Sequence, residues 1–446
     1  MLVLETFIEP GILIGIFTMI FFVTGYYIWK RDVLYGLVYL FLFMYIIFAQ
    51  VGYAYFPALS ELLKAYYGRN LFYSFNSFVT LSFVTFFVLF LFLYKYVVKR
   101  PAYKVVQSNP RLNVIFYAIL IGHIIWMTLY FHAYYDIITY ANASDEVFQA
   151  SQGLPFRMFM IGFKHSVFIN LALYFMLRVK TREAPYINRI IVFILFLIEF
   201  VLFILIALKL GNRTDLLSFT IGFMFLELNV IRRDKYKYIN IMGLVLIIVF
   251  VIYALGMIEA ARNGGMAEKY TVIENILYKD YYAPAHILIA AMGLQYVDPL
   301  EVLASNSANA LILLNHPYLQ ETVTELFNPG VTTRSSSYAF YIFSEGYLAI
   351  GWLGFLYNGL IVFFGVSLWR RLSHSNNRYY NLFMLSLIAT QVANIARGQS
   401  SYFIKNIYII FLPAMFLFFL GTGLVPWLGC INKKNSSVIK LKLSPI

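Results

Sequence analysis

The sequence predicts an all-α, polytopic integral membrane bundle of about eleven spans, and three observations predict it. Apolar runs of about 20 residues recur along the chain, the length a helix needs to cross roughly 30 Å of hydrocarbon. Charge is scarce: of 446 residues 61% are hydrophobic, 19% aromatic and only 12% charged, with a mean hydropathy of +0.74. Basic residues gather in alternate junctions between the apolar runs. No soluble domain of this length spreads so little charge over so much apolar surface, so the chain is read as one membrane domain, residues 1–446.

Taken in order, the expected spans cover 10–29, 33–56, 71–94, 112–133, 158–177, 187–208, 214–231, 238–258, 343–369, 379–396 and 403–428. Lys30 and Arg31 follow the first, and Lys95, Lys99, Arg100, Lys104 and Arg111 the third. Arg178, Lys180, Arg182 and Arg189 follow the fifth, Arg232, Arg233, Lys235 and Lys237 the seventh. Arg370, Arg371 and Arg378 follow the ninth; Lys433, Lys434, Lys440 and Lys442 come last. These junctions hold 22 of the 34 lysines and arginines, which places them in the cytoplasm, the N-terminus outside and the C-terminus inside. Glu5 and Glu9 stand where a signal peptide would be basic, so the first span is expected to be retained. The formal charge of +13 therefore belongs to membrane topology and not to nucleic-acid binding. The single cysteine, Cys430, rules out a disulfide within the chain and any cysteine metal cluster.

By far the largest external loop is 259–342, punctuated by Pro284, Pro299, Pro317 and Pro329-Gly330 and long enough for short helices of its own. It leads into RSSSYAFYIFSEGYLAIGWLG at 334–354. If 334–345 is helical, Arg334, Tyr338, Tyr341 and Glu345 share a face, the outer two roughly 16 Å apart. Gly346, Gly351 and Gly354 then offer a close approach to another helix backbone.

Four arginines stand on the side that the charge rule leaves poor in cations: Arg213, Arg262, Arg334 and Arg397. One alone reads as a snorkelling side chain. Several at one level suit a shared anion, because guanidinium forks bind phosphate bidentately and keep their charge. Glu345, where water begins to be excluded, is a candidate general base or a structural partner of an arginine. Glu199, in mid-span, is expected to be hydrogen-bonded inside the bundle, as are His123, His132 and His165. His286 and His316 lack metal-ligand spacing; either could act as an acid or base, and His286 is kept as a substrate-binding candidate. No phosphate-binding loop, dinucleotide fingerprint or nucleophile elbow occurs, so no cofactor is expected.

The run from Ser336-Ser337 through Glu345, Tyr347 and Gly351 to Gly354, the turn GNRTDLL at 211–217 and NIARGQ at 394–399, set in this topology, resemble the O-antigen polymerases (Wzy, oligosaccharide repeat unit polymerases). One departure is that Arg334 meets Gly346 at the twelfth position. Ser335, Ser336 and Ser337 stand where the related ligases carry a histidine, which counts against a ligase. The resemblance implies a GT-C-like architecture in the bacterial inner membrane, with the large loop and the site facing the periplasm. It also implies transfer of a growing chain from undecaprenyl pyrophosphate to a sugar hydroxyl of the next lipid-linked repeat unit. Glu345, Arg213 and Arg334 would then be catalytic, and Arg397, Arg262, Tyr338, Tyr341 and His286 would bind substrate, without metal. A chain-length regulator is an implied partner beside the membrane lipids. The alternatives are a lipid-linked oligosaccharide flippase, against which the absence of repeated halves argues, and a glycosyltransferase using polyprenyl-phosphate sugars. The latter would draw on Glu61 or on Asp145-Glu146.

Overall fold

The computed structural model describes residues 10–43, 68–96, 114–138, 152–178, 186–211, 213–231, 298–311, 342–374 and 378–422, with isolated positions at 288–289, 292–293, 319 and 323. The described residues contain helices and no strands. In chain order the helices are α1 (Pro10–Arg31), α2 (Val33–Leu42), α3 (Arg69–Tyr96), α4 (Val114–Tyr134), α5 (Gly153–Arg178), α6 (Tyr186–Leu210) and α7 (Arg213–Ile231). There follow α8 (Pro299–Leu311), α9 (Ile342–Ile350), α10 (Gly354–Ser373), α11 (Arg378–Arg397), α12 (Ser401–Asn406) and α13 (Leu412–Thr422). Among the described residues six stretches are long and apolar enough to cross a membrane, so the chain is a helical membrane protein. The expected span at 238–258 lies outside the described residues.

Large side chains such as Met19, Phe92, Leu129 and Phe193 are exposed on the outside, as helices solvated by lipid require. Inside, aromatic rings interlock. Phe163 stacks on Phe203 at 5.5 Å, Tyr174 meets Phe223 at 4.4 Å, and Phe383 stacks on Phe418 at 4.7 Å.

Contacts between helix ends test the alternation predicted from charge. Asp32, in the turn between α1 and α2, pairs with Arg370 near the end of α10. Lys209, ending α6, lies 4.2 Å over the ring of Tyr135, just past α4. Glu345 of α9 meets Ser400, between α11 and α12. Each contact joins two junctions that the charge pattern assigns to the same side. Asp32 is also the cap of α2, its carboxylate accepting from the backbone of Leu34 and Tyr35 at 3.1 and 3.3 Å.

The expected single span at 343–369 requires correction. Residues 342–373 have the length and hydropathy of one span, yet the chain doubles back at Gly351–Leu353. Gly351 takes φ +63°, a left-handed conformation that glycine adopts without steric cost. A Cβ on Gly354 would fall 2.0 Å from the carbonyl oxygen of Gly346, so the two backbones touch. Eight residues along a straight helix would separate them by about 12 Å. Asn358 closes the hairpin, accepting from Gly346 N–H at 3.0 Å and donating to the Phe343 carbonyl at 2.9 Å and to Ser82 at 3.2 Å. The three glycines thus serve a fold-back of their own segment. Hydropathy cannot register such a break.

One more helix packs at this end of the bundle. Just before α8, Asp298 accepts from Leu300 N–H at 2.9 Å, and Pro299 sits at the first helical position, where its missing N–H costs nothing. Val302 of α8 packs with Leu319, Val323, Leu348 and Ala349, laying this part of the 259–342 loop on α9.

Candidate functional site

Because the hairpin folds back, α9 begins beside the first turn of α10 and runs from there to the turn at Gly351. Its first residues, Ile342, Phe343, Ser344 and Glu345, are fully buried. A buried carboxylate must be satisfied, and Glu345 is. Oε1 accepts from Tyr357 Oη at 2.8 Å and from Ser400 Oγ at 2.6 Å, while Oε2 accepts from the Ser400 backbone N–H at 2.7 Å. Three donors, one from α10 and two from the turn after α11, converge on one side chain.

This network ties α9 to the segment Arg397-Gly398-Gln399-Ser400. Gln399 and Ser401 are buried there with Ser400 between them, and Ser344 and Ser401 carry hydroxyls with no hydrogen-bond partner among the described residues. Below the turn the helix is modified again. The Phe403 carbonyl accepts from the Trp369 indole N–H at 2.7 Å and not from the backbone of Ile407. A π-helical segment, Ile407–Phe411, follows directly.

Arg397 closes α11 and Arg213 opens α7, and these two helices pack side by side. Their register is set at Gly222, whose absent Cβ would lie 2.5 Å from Thr390 Cγ2 and 3.1 Å from the Ser386 carbonyl oxygen. The helices are antiparallel. Phe163–Phe203 and Tyr174–Phe196 place α5 antiparallel to α6; Phe200–Phe219, with Tyr174 touching both Phe196 and Phe223, places α6 antiparallel to α7; and the C-terminal end of α5 meets the N-terminal end of α11 at Phe175–Phe383. Nine residues back from Gly222 and seven on from Thr390 both lead to the same end, about 10–13 Å away. The backbones of Arg213 and Arg397 therefore stand at one level on neighbouring helices, and Glu345 is bonded to the turn three residues beyond Arg397.

Three of the sequence-predicted site residues, Glu345, Arg213 and Arg397, thus belong to one end of the bundle. Arg334, Arg262, Tyr338, Tyr341 and His286 lie outside the described residues. So does the 334–341 part of the helical face that would align Arg334 with Glu345. The sequence reading missed Tyr357, Ser400 and Asn358. Asn358 at the twelfth position after Gly346, and a serine three residues beyond the late arginine, are the signals that could have raised them. Among the described residues no group of three or more histidine, cysteine, aspartate or glutamate side chains could hold a metal ion.

Comparison with known protein families, with curated proteins and with solved structures returns no match for this chain.

Proposed function

We propose that this protein polymerises lipid-linked oligosaccharide repeat units of the O-antigen type at the periplasmic face of a bacterial inner membrane. In this reading the chain has about eleven spans, its N-terminus outside and its C-terminus inside. The observation that carries it is the shared level of Arg213 and Arg397 together with the Glu345–Ser400 bond at the same end of the bundle. Arginines at that level would offer cations where a lipid diphosphate headgroup would sit.

The reaction is a displacement at the anomeric carbon. A hydroxyl of the incoming repeat unit forms the new C–O bond, the bond from sugar to pyrophosphate breaks, and undecaprenyl pyrophosphate departs with the electron pair. The hydroxyl proton passes to a base or to water. Charge grows on the departing diphosphate, and guanidinium groups held in place beforehand lower that barrier without reorganising. Arg213, Arg334 and Arg397 take this role. Arg262, Tyr338, Tyr341 and His286 are assigned to the sugars, where phenols stack and hydrogen-bond.

Glu345 is assigned the positioning of the Arg397 turn. Its oxygens already accept three hydrogen bonds, and an acceptor so occupied holds geometry better than it abstracts a proton. The test is reconstitution in liposomes with a lipid-linked repeat unit of defined structure. Products of two and more units formed without added divalent ion are expected. Movement of unmodified single units across the bilayer, with no longer product, would mark a flippase instead.

A further inference from the structure

The middle of the membrane holds a second polar site, unconnected with Arg213, Arg397 or Glu345. His123 is the tenth of the 21 residues of α4 and Glu199 lies in mid-α6. His123 Nδ1 approaches Glu199 Oε1 at 3.3 Å. The other ring nitrogen, Nε2, is 3.2 Å from the carbonyl oxygen of Gly162 on α5. Glu199 is 0% exposed, and neither of its oxygens has a hydrogen bond of good geometry to any described residue.

Apolar layers seal the pair on both sides. One and two turns toward the start of α4 are Leu120 and Phe116, packed with Ile169, Leu173 and Val192. One turn toward its end is Met127, whose sulfur lies against Gly162. Other titratable or charged residues on the helices packed around the pair are Tyr117, Tyr130, His132 and Tyr134 of α4, Arg157, Lys164, His165, Tyr174 and Arg178 of α5, and Tyr186, Arg189 and Lys209 of α6. On α7 they are Arg213, Asp215 and Glu227. Lys164 is exposed, His165 returns Nδ1 to the Ile161 carbonyl at 2.8 Å, and Lys209 is held over Tyr135.

Protons can be counted from this geometry. A carbonyl only accepts, so Nε2 carries a hydrogen. One further proton, on Nδ1 or on Oε1, leaves the pair neutral. Without it, a carboxylate would face an imidazole lone pair inside hydrocarbon; with two, a net cation would be buried. A metal is a poor occupant, because one carboxylate and one imidazole fall short of the roughly four ligands a zinc site takes. We propose that His123 and Glu199 form an intramembrane proton-binding site, one proton held between Nδ1 and Oε1, and that this neutral pair clasps α4 to α5 and α6. The clasp matters because α4 turns Ile115, Ile121, Ile125 and Leu129 outward. Lipid supplies no hydrophobic force to hold such a helix in place.

Thermal unfolding of the full-length protein, purified in one detergent at one neutral pH, tests the proposal. Glu199→Gln, whose amide stands in for the protonated acid and can donate to Nδ1, is expected to keep the wild-type midpoint. His123→Leu strands the buried Glu199 carboxyl among apolar helices and should lower the midpoint by several degrees. The double variant His123→Leu/Glu199→Gln removes the acid and should recover part of that loss. Should His123→Leu not accumulate folded, recovery in the double variant supports the site, and failure to recover overturns it. A wild-type midpoint in His123→Leu, a double variant as unstable as His123→Leu, or Glu199→Gln as unstable as His123→Leu would equally overturn it.

Discussion

Glu345 and Ser400, 55 residues apart in sequence, are joined twice: Ser400 donates its backbone N–H at 2.7 Å and its hydroxyl at 2.6 Å to the two oxygens of one carboxylate. Tyr357 adds a third donor. A buried acceptor with three donors holds three pieces of chain in one arrangement, and its removal strands all three.

Glu345→Ala is accordingly expected to cost about 3–5 kcal/mol, a value reserved for broken buried networks. Glu345→Gln retains the shape but turns an amide donor toward groups that are themselves donors, and should cost about 1–3 kcal/mol. Ser400→Ala keeps the backbone bond and should be mildest. Denaturant unfolding in a fixed detergent ranks the three; Glu345→Ala as stable as wild type would refute the network.

The hairpin makes a second prediction. Gly354→Ala would put a methyl 2.0 Å from the Gly346 carbonyl oxygen, a backbone atom that cannot swing aside. Gly346→Ala meets both Asn358 and the Gly354 carbonyl. Each should destabilise by about 2–4 kcal/mol through forced separation of α9 from α10. Gly122→Ala, with open space around the added methyl, should be near neutral in the same melting assay.

At the opposite end of α10, Arg370 and Asp32 form an ion pair with side chains only 10% and 8% exposed. Truncating one partner leaves an uncompensated buried charge, so Arg370→Met alone should cost about 3–5 kcal/mol. The double change Asp32→Asn/Arg370→Met should recover much of that, because asparagine still caps α2. A double-mutant cycle on melting free energies measures the coupling.

His374 ends α10 beside the same pair and donates Nδ1–H to the Arg370 carbonyl at 2.7 Å. Burial, and next the Arg370 guanidinium, hold its imidazole below the ordinary histidine value. A histidine whose folded-state value is depressed binds its proton more readily when unfolded. Its contribution is therefore complete above about pH 6.5 and eroded as pH falls below that. Melting curves of wild type should lose stability over that acid range, and His374→Gln should flatten the loss. An unchanged slope in His374→Gln would assign it to other groups.

Much of the bundle could be read in advance because crossing hydrocarbon imposes a length and a polarity that composition must obey. The helices from α3 to α7 start and end within a few residues of the expected runs, and Asp32–Arg370 and Lys209–Tyr135 join junctions that the basic residues had already put on common sides. The break at Gly351 was invisible to hydropathy, since both arms of the hairpin are apolar. The partners of Glu345 were hidden for a different reason. Ser400 reaches it through a fold-back and a helix reversal, and no periodicity links positions that far apart. Glu199 and His123 were each legible as groups needing a bundle partner. That they need each other emerges only from the packing of α4 on α6.

The most direct measurement is the length distribution of surface lipopolysaccharide in cells whose only copy of this protein carries Arg213→Ala, Arg397→Ala or both, with the lysine variants alongside and membrane levels confirmed. Collapse of the ladder to single repeat units in the alanine variants, partly recovered by lysine, is the predicted result. A wild-type ladder in the Arg213→Ala/Arg397→Ala double variant would contradict the polymerase reading.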